Sequence, residues 1–448
     1  MPRVALALLC SQPRGGALRG QFQRDTCLRL LAFVRRCATA QRHGGAIALG
    51  AYHTAAMLRA DGSNAPPRLM AFGRGFHGQL GRGGYDDAAE PAAVEAFAAA
   101  GDISDVHCGG SHCAVLCRDG RLFTWGLASS GELGHGGWTP IEVDTPRCVA
   151  AFVGKVHVRA VVTGANHTLA IADSGGLWAC GRGRGGQLGQ GHFNDAGPMQ
   201  QVEGLRGEQV VAAAAGAAHS LALTACGGVW SWGDARAGQL GQGAAVAAHA
   251  AHGWDAGVPL PAPVPLPAWC TADPVVALAA GGHHTLLRTA SGRLLACGRG
   301  RHGAMGLGDT ADRHSLVEVT VDCGAGALRG PNRCICRLGS CASSRVAAVV
   351  AGRDHTLVLT ACGAVLAAGC NSYGCLGTGD TVGQTNFVRV ASLPRITGIA
   401  AGESHSAAVA ADGQVFLWGR GDWGQLGSSD YRSHWHPVPL RGHSLAVA

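Results

Sequence analysis

From about residue 46 onward, the chain consists of short apolar stretches separated by glycine-rich turns. In one of these stretches, His219 to Thr224 reads HSLALT, a turn at Cys226 follows, and Val229 to Trp232 reads VWSW. Apolar side chains at every second position predict a β-strand with one buried face. A short connection that contains Gly, placed between two such strands, predicts a hairpin. The pattern therefore predicts an all-β chain that is built from hairpins.

A G-x-x-H segment recurs at the start of these hairpins. There are seven copies, and their successive histidines are 50 to 71 residues apart. A residue that recurs at one position of every repeat is expected to make the same contact in each, and buried polar groups are normally paired. We therefore predict that these histidines make structural hydrogen bonds and do not form a catalytic or metal-binding set. They are His53, His112, His167, His219, His284, His355 and His405.

A second signature, G-x4-G-x-[LM]-G, follows each histidine at the end of the hairpin. Its three glycines are present in all seven copies. Such regularity predicts tight turns with positive φ at the corners of a repeated unit. The middle glycines are Gly78, Gly131, Gly186, Gly238, Gly303, Gly374 and Gly424.

The repeated unit has the size of a β-propeller blade, with three or four short antiparallel strands. One blade cannot bury both faces of its sheet without neighbours, so the blades must stack around a ring. We predict one all-β domain over residues 46–448, a seven-bladed β-propeller. The longest segments between signatures, residues 242–273 and 309–345, are predicted to be loops, and the alternating prolines of the first exclude a central strand.

Closure of the ring requires a contact between the first and the last blade. The C-terminal segment Ser444 to Val447 resembles the strands that precede the G-x-x-H segments, such as Ile399 to Ala401. We predict that this segment, or residues near Ala46, closes the ring.

Composition changes this picture little. The chain has 71 glycines and 47% hydrophobic residues, which fits many turns around a packed core. Its 18 cysteines occupy repeat positions that other copies fill with apolar residues, which indicates reduced core thiols. No stretch approaches the ~20 apolar residues of a membrane-spanning helix, so we expect no membrane insertion. We also expect a monomer.

Residues 1–45 form a basic leader ahead of the first repeat. Seven arginines between Arg3 and Arg36 accompany a single acid, Asp25, and Leu28, Leu31 and their neighbours form one apolar stripe. These features indicate an organellar targeting segment or, alternatively, a short docking helix. We expect the protein in the cytoplasm or nucleus, and the leader leaves the mitochondrion or plastid as the alternative.

With both signatures repeated seven times between about residues 46 and 440, the chain resembles the regulator of chromosome condensation repeat family. The resemblance implies a seven-bladed propeller. Its members include a guanine nucleotide exchange factor for the small GTPase Ran, a plant ultraviolet-B photoreceptor and ubiquitin-ligase modules. Function therefore does not follow from the resemblance alone.

Two departures from these members narrow the choice of function. Resemblance to the photoreceptor implies a Trp within the G-x-x-H segments of several blades. This chain has other residues there, such as Ala217 and Ala218. The exchange factor implies an inserted β-wedge in an early blade, whereas the third and fourth copies here are close to minimal length. We therefore expect no chromophore array and transfer no exchange-factor catalytic residue to this chain.

Arginines follow the strand-ending glycine of several repeats, either directly or three positions later. Equivalent positions of a propeller share one rim, so an arginine-rich rim is predicted, and the net charge of +7 is almost entirely arginine. Such a rim suits an acidic protein or, alternatively, the phosphate backbone of nucleic acid, while codon-biased solvated surface is a third interpretation. The arginines are Arg74, Arg182, Arg184, Arg236, Arg299, Arg301 and Arg420.

Two motifs that resemble ligand sites are interpreted as structural. The G-x-G-x-x-G motif at Gly181 to Gly186 lacks the following helix that a dinucleotide site requires. Four cysteines in the second long segment have no standard zinc-module spacing, and free thiols in a loop are the preferred interpretation. They are Cys323, Cys334, Cys336 and Cys341. We expect no cofactor, no metal and no catalytic residue.

The sequence thus favours a non-catalytic platform that binds protein partners through its rim loops. One alternative is guanine nucleotide exchange on a small GTPase, which would need an acidic and a histidine side chain on one loop face. The other is chromatin or nucleic-acid binding through the arginine-rich rim.

Overall fold

The computed structural model of the chain describes residues 46–62, 65–97, 103–136, 141–246, 257–322 and 345–445. The leader predicted at residues 1–45 and the four cysteines between Cys323 and Cys341 lie outside the described residues. No helix within the described ranges is long and apolar enough to cross a lipid bilayer.

The described residues form 28 strands, four to each of seven blades, in the order of the chain. Blade 1 contains β1 (Ile47–Leu49), β2 (His53–Ala60), β3 (Arg68–Gly73) and β4 (Ala88–Ala93). Blade 2 contains β5 (Ile103–Cys108), β6 (His112–Cys117), β7 (Leu122–Leu127) and β8 (Glu142–Cys148). Blade 3 contains β9 (Val158–Thr163), β10 (His167–Ala172), β11 (Leu177–Gly181) and β12 (Ala196–Gln201).

The remaining blades repeat the same order. Blade 4 contains β13 (Val210–Ala215), β14 (His219–Thr224), β15 (Val229–Asp234) and β16 (Gly257–Pro263). Blade 5 contains β17 (Val275–Ala280), β18 (His284–Thr289), β19 (Leu294–Gly298) and β20 (Arg313–Val319). Blade 6 contains β21 (Val346–Ala351), β22 (His355–Thr360), β23 (Val365–Gly369) and β24 (Gln384–Arg389). Blade 7 contains β25 (Ile396–Ala401), β26 (His405–Ala410), β27 (Gln414–Gly419) and β28 (His434–Leu445). Short 3-10 helices occur at Glu95–Phe97, Glu203–Leu205 and Ala268–Thr271. The predicted seven-bladed β-propeller is confirmed.

The core of the molecule lies between the blades. Seven large clusters of buried apolar side chains each combine residues of two adjacent blades, and the cluster between blades 7 and 1 completes the circle. Trp125, Trp232 and Trp418 hold equivalent positions and are fully buried. The indole N–H of Trp232 donates a hydrogen bond of 2.8 Å to the Gln187 carbonyl in the preceding blade. Burial of every sheet face thus depends on its neighbour, as expected for a propeller.

The ring closes where the end of β28 joins blade 1. His443, Ser444 and Leu445 pair antiparallel with Ala60, Arg59 and Leu58 of β2, while β1 pairs with the other half of β2. The Leu445 N–H also bonds the carbonyl of Gly413 in blade 7 at 2.9 Å. The innermost strand position of blade 1 is therefore shared by both ends of the propeller. Of the two segments predicted to close the ring, both take part.

The two segments predicted as loops each contain an outer strand. In residues 242–273 the strand is β16, which pairs with β15 on one side only. In residues 309–345 it is β20, which forms a ladder with β19 and an isolated bridge between Ser315 and Gln242 on its other side. The prediction of loops was wrong for these strands. An outer strand forms ladder hydrogen bonds along one edge only, so it needs about half of the backbone N–H donors of a central strand and can contain proline. The exclusion of a central strand holds for β16.

Candidate interaction face

One face of the propeller brings the two sequence signatures together in every blade. The G-x-x-H turn joins the first and second strands, and the arginine-bearing loop leaves the third strand beside it. In blade 3 the Arg182 N–H donates to the carbonyl of Asn166 at 2.8 Å, and the equivalent bond recurs in all seven blades. This G-x-x-H face, defined by the seven G-x-x-H turns and the loops that follow the third strands, therefore carries all seven predicted arginines.

In blades 3 to 5 the arginines differ in how they are neutralised. Arg182 and Arg301 are exposed, Arg299 is half-buried, and within the described part of the chain none of the three forms an ion pair. Arg236 instead makes a bidentate pair with the buried carboxylate of Asp234, at 2.8 and 3.1 Å. Arg184 lies 3.9 Å from Asp195, with 75% of its side chain exposed. The five arginines share a face, but Arg236 is already neutralised.

In blades 7 and 1 the arginines lie over aromatic rings, one of which belongs to blade 6. The Arg74 guanidinium lies 4.5 Å from the Trp423 ring centre and 5.7 Å from that of Tyr52. Arg420 lies 4.6 Å from the Tyr373 ring centre and 5.2 Å from that of Tyr52. Planar guanidinium groups held over aromatic faces lose little conformational freedom when they bind a carboxylate. We call these five residues the arginine–aromatic cluster.

Sequence reasoning missed the aromatic members of this cluster. Tyr52 lies inside a G-x-x-H segment, and Tyr373 and Trp423 each precede a middle glycine. Phe76 extends the cluster, 5.5 Å from Arg74, and it is 60% exposed. Large aromatic residues at variable positions of the two signatures were the available signal.

A central cavity opens among the G-x-x-H turns. Its volume is about 350 Å³, and its wall consists largely of small residues, including Gly50, Gly216 and Gly352. The charged wall residues Arg353 and Glu403 form an ion pair with each other. Because the wall offers mostly backbone and small side chains, the cavity has few groups that could orient a small substrate.

The seven repeat histidines form a ring of hydrogen bonds between blades. His167 Nε2 lies 2.9 Å from Ser220 Oγ in the next blade, and Ser220 donates to the carbonyl of Gln187 at 2.8 Å. Since the hydroxyl proton is used, Nε2–H of the histidine is the donor. Six of the seven histidines face a Ser or Thr in this way, and His53 faces Cys113 at 3.1 Å.

Burial keeps the six imidazoles that face a hydroxyl group neutral. It lowers the pKa of His219 and His405 to about 3 and that of His284 to about 4. His112, His167 and His355 shift in the same direction for the same reason. A neutral imidazole with its Nε2–H committed to a hydroxyl is poorly suited to general-base chemistry.

The seven middle glycines pack against the outer strand of the next blade. Their φ angles lie between 72° and 85°. A Cβ atom on Gly131 would lie 2.5 Å from the Gly197 Cα in β12, and one on Gly424 would lie 2.6 Å from the Ala89 Cα in β4. The same approach occurs at the other five copies. The middle glycines therefore determine how closely one blade approaches the outer strand of the next.

Comparison with known proteins identifies a sequence family over most of the chain. The sequence model of the RCC1-like domain family matches residues 68–447. The chain is 29% identical over 344 residues to the ultraviolet-B receptor UVR8 of Arabidopsis thaliana, covering 77% of this chain and 69% of that protein. It is 31% identical over 336 residues to the E3 ubiquitin-protein ligase HERC2 of Homo sapiens, covering 74% of this chain and only 6% of that protein.

The fold is shared with a solved propeller. Prp20p from Saccharomyces cerevisiae superimposes with a TM-score of 0.69 at 20% sequence identity, covering 90% of this chain and 89% of that one. At this identity the likeness supports the fold and leaves the activity open.

Proposed function

This chain belongs to the RCC1-like domain family, and from that premise we propose that it is a non-catalytic protein-interaction platform whose G-x-x-H face binds an acidic segment of a partner protein. We propose the cytoplasm or nucleus as its compartment, with the mitochondrion or plastid as the alternative for the leader at residues 1–45.

The observation that carries this proposal is the set of cations on the G-x-x-H face that lack an internal counter-ion. Arg182, Arg299 and Arg301 have no ion-pair partner among the described residues, and Arg182 and Arg301 are exposed. Arg guanidinium groups bind carboxylates in a bidentate geometry. An acidic peptide laid across blades 3 to 5 would supply the missing charges.

The arginine–aromatic cluster supports the same conclusion on the other side of the face. Arg and large aromatic residues are enriched among the residues that contribute most to protein interfaces. Arg74 and Arg420 are already oriented by Trp423, Tyr52 and Tyr373. The face thus combines unpaired charge in blades 3 to 5 with rigid anchors in blades 6, 7 and 1.

The test replaces five arginines of the face by Glu in the full chain. Partners captured by the wild-type protein are identified, purified and measured for direct binding to both forms. We expect the charge-reversed protein to lose at least about tenfold in affinity, because each reversed charge-assisted contact contributes about 1 kcal/mol or more. The replaced residues are Arg182, Arg184, Arg236, Arg299 and Arg301.

A matched control reverses the same number of charges on the opposite face, where the hairpins between second and third strands and the starts of the first strands lie. Five of its exposed arginines are replaced: Arg118, Arg121, Arg206, Arg345 and Arg395. We expect this variant to bind partners as the wild type does. Retention of every partner by the first variant would contradict the proposal, and equal loss in both would show nonspecific charge attraction.

Guanine nucleotide exchange is the second candidate, and one contact favours it. Asp234 and His283 lie on the G-x-x-H face with 3.9 Å between Oδ2 and Nδ1, an acidic and a histidine side chain on one face as this alternative requires. Because Asp234 is buried and paired with Arg236, a bound GTPase would have to displace Arg236 to reach the carboxylate. Prp20p, the propeller with the same fold, has described binding properties to Gsp1p and histones. Faster release of labelled GDP from a small GTPase in the presence of this protein would favour exchange over a passive platform.

A further inference from the structure

The interface between blades 1 and 2 differs chemically from the other six. In the other interfaces a Ser or Thr hydroxyl accepts the hydrogen bond of the repeat histidine, and here Cys113 holds that position. A second thiol, Cys108, lies opposite it, at a position that Ala215, Ala280, Ala351 and Ala401 fill in blades 4 to 7. Two thiols have thus replaced other side chains at one corner of the ring.

Three metal-ligating atoms converge at this corner. Cys113 Sγ lies 3.1 Å from His53 Nε2 and 3.2 Å from Cys108 Sγ. The three atoms all lie within 4.8 Å of one another. His53 and Cys113 are completely buried, whereas Cys108 is half-buried and lines the central cavity. The group therefore has one side toward the protein and one toward the cavity.

The backbone holds the three residues in place. Cys108 and Cys113 are direct partners across β5 and β6. The neighbouring Gly109 N–H bonds the His112 carbonyl at 2.8 Å, so the turn between them is closed. His53 comes from β2 of the preceding blade. Ligands supplied by rigid strands of two blades are more precisely placed than ligands on loops.

We propose that His53, Cys108 and Cys113 bind a zinc ion that links blade 1 to blade 2 and keeps its fourth coordination position open to the central cavity. Zinc prefers tetrahedral sites of Cys and His, with Zn–S near ~2.3 Å and Zn–N near ~2.0 Å. Tetrahedral geometry with these bond lengths separates the ligand atoms by about 3.5 to 3.8 Å. The present separations of 3.1 and 3.2 Å need to widen by about half an ångström. Three protein ligands and one open position are typical of zinc sites that accept an exogenous ligand.

The experiment measures zinc bound by the purified full-length chain. The protein is reduced, stripped with a chelator, incubated with Zn²⁺ alone and desalted, and its zinc content is determined by elemental analysis. We expect Cys113→Thr and Cys108→Ala each to bind one equivalent less than the wild type. Both variants introduce a residue that other blades carry at the same position, Thr168 for the first and Ala215 for the second, so the fold is retained.

Cys297→Ala is the matched control, because Cys297 is a buried thiol in another blade and blade 6 has Ala368 at the equivalent position. It is expected to keep the full zinc content. Because each variant is compared with the wild type, zinc bound by the cysteines between residues 323 and 341 contributes equally to both and does not affect the difference in zinc content. With Co²⁺ in place of Zn²⁺, the thiolate-to-metal charge-transfer band should weaken in the two site variants and not in the control.

Zinc content that is equal in all four proteins would overturn the proposal. It would also be overturned if mass spectrometry found Cys108 and Cys113 joined as a disulfide that forms again after reduction in the presence of excess zinc.

Discussion

Single glycines determine how closely the blades approach one another. At Gly131 the backbone has a φ of 85°, and a Cβ atom would lie 2.7 Å from the Ala196 carbonyl oxygen of the next blade. Gly is the residue that adopts this backbone conformation without steric cost. The repeated middle glycine is thus a packing residue as much as a turn residue.

Replacing Gly131 by Ala should lower the free energy of unfolding by about 2 kcal/mol or more. The positive φ alone costs about 1–2 kcal/mol for a residue with a Cβ atom, and the contact with β12 adds to it. Urea unfolding followed by tryptophan fluorescence measures the change.

The control for this substitution is Gly84→Ala. A Cβ atom there would meet no heavy atom within 4 Å, so the expected change is within about 0.5 kcal/mol. Equal destabilisation by the two substitutions would contradict the packing role of Gly131.

At this scale the sequence predicts what repeats and misses what does not. The histidines and glycines are visible because each recurs seven times. Tyr52, Trp423 and Cys113 are single departures from the repeat, and their meaning depends on neighbours in another blade that sequence spacing does not reveal. The zinc ligands His53 and Cys113 are 60 residues apart in the chain.

Strands were predictable where alternation and turns were both present. β16 was hidden because Pro259, Pro261 and Pro263 lie within it. These prolines are spaced by two, so the missing donors all fall on the side of the strand that faces away from β15. The N–H groups on the β15 side remain available, as at Val264 directly after the strand, which bonds the Val229 carbonyl at 2.8 Å. An outer strand accepts this pattern and a central strand does not.

The end of β28 is the element on which closure depends. Deleting residues 442–448 removes the pairing with Leu58 to Ala60 and the buried Leu445 side chain. Loss of one buried Leu side chain costs about 2–5 kcal/mol, and unpaired strand donors add to this cost. We expect a clearly lower melting temperature, measured by circular dichroism.

Two point variants refine this prediction. Leu445→Ala keeps the backbone pairing and should show part of the loss, whereas Arg441→Ala changes an exposed side chain and should show none. An unchanged melting curve for the deletion would mean that β1 alone closes the ring.

The whole molecule is a closed circle of seven similar interfaces between blades, so a contribution that each interface makes to stability occurs up to seven times. Each interface buries an apolar cluster, and six of the seven contain a neutral histidine that donates a hydrogen bond to a hydroxyl group across the interface. Neither blade number nor closure could be derived from one repeat, but seven copies at blade spacing determined both. The assignment of a face to partners required the folded geometry, because the arginines and the aromatic residues meet only across blades.

The histidine circle makes stability depend on pH. An unfolded histidine has a pKa near ~6.5, while burial lowers the pKa of six ring histidines to about 3 or 4 in the folded protein. Between these values the unfolded chain binds more protons than the folded chain. The contribution of the histidines is therefore fully present above pH ~6.5 and is lost as the pH falls below it, at up to about 1.4 kcal/mol per pH unit for each histidine.

Urea unfolding at constant ionic strength between pH 7.5 and pH 5 should therefore show a steep fall in the free energy of unfolding, in a range where most carboxyl groups remain ionised. His219→Asn should lower stability at pH 7.5 and also reduce the slope by about 1.4 kcal/mol per pH unit. The exposed His302→Asn should leave the slope unchanged. A free energy of unfolding that is constant between pH 7.5 and pH 5 would mean that the ring histidines take up protons in the folded state. Their hydrogen bonds to the hydroxyl groups would then form with a charged imidazole as well. The conclusion that the ring histidines must be neutral in the folded protein would be wrong.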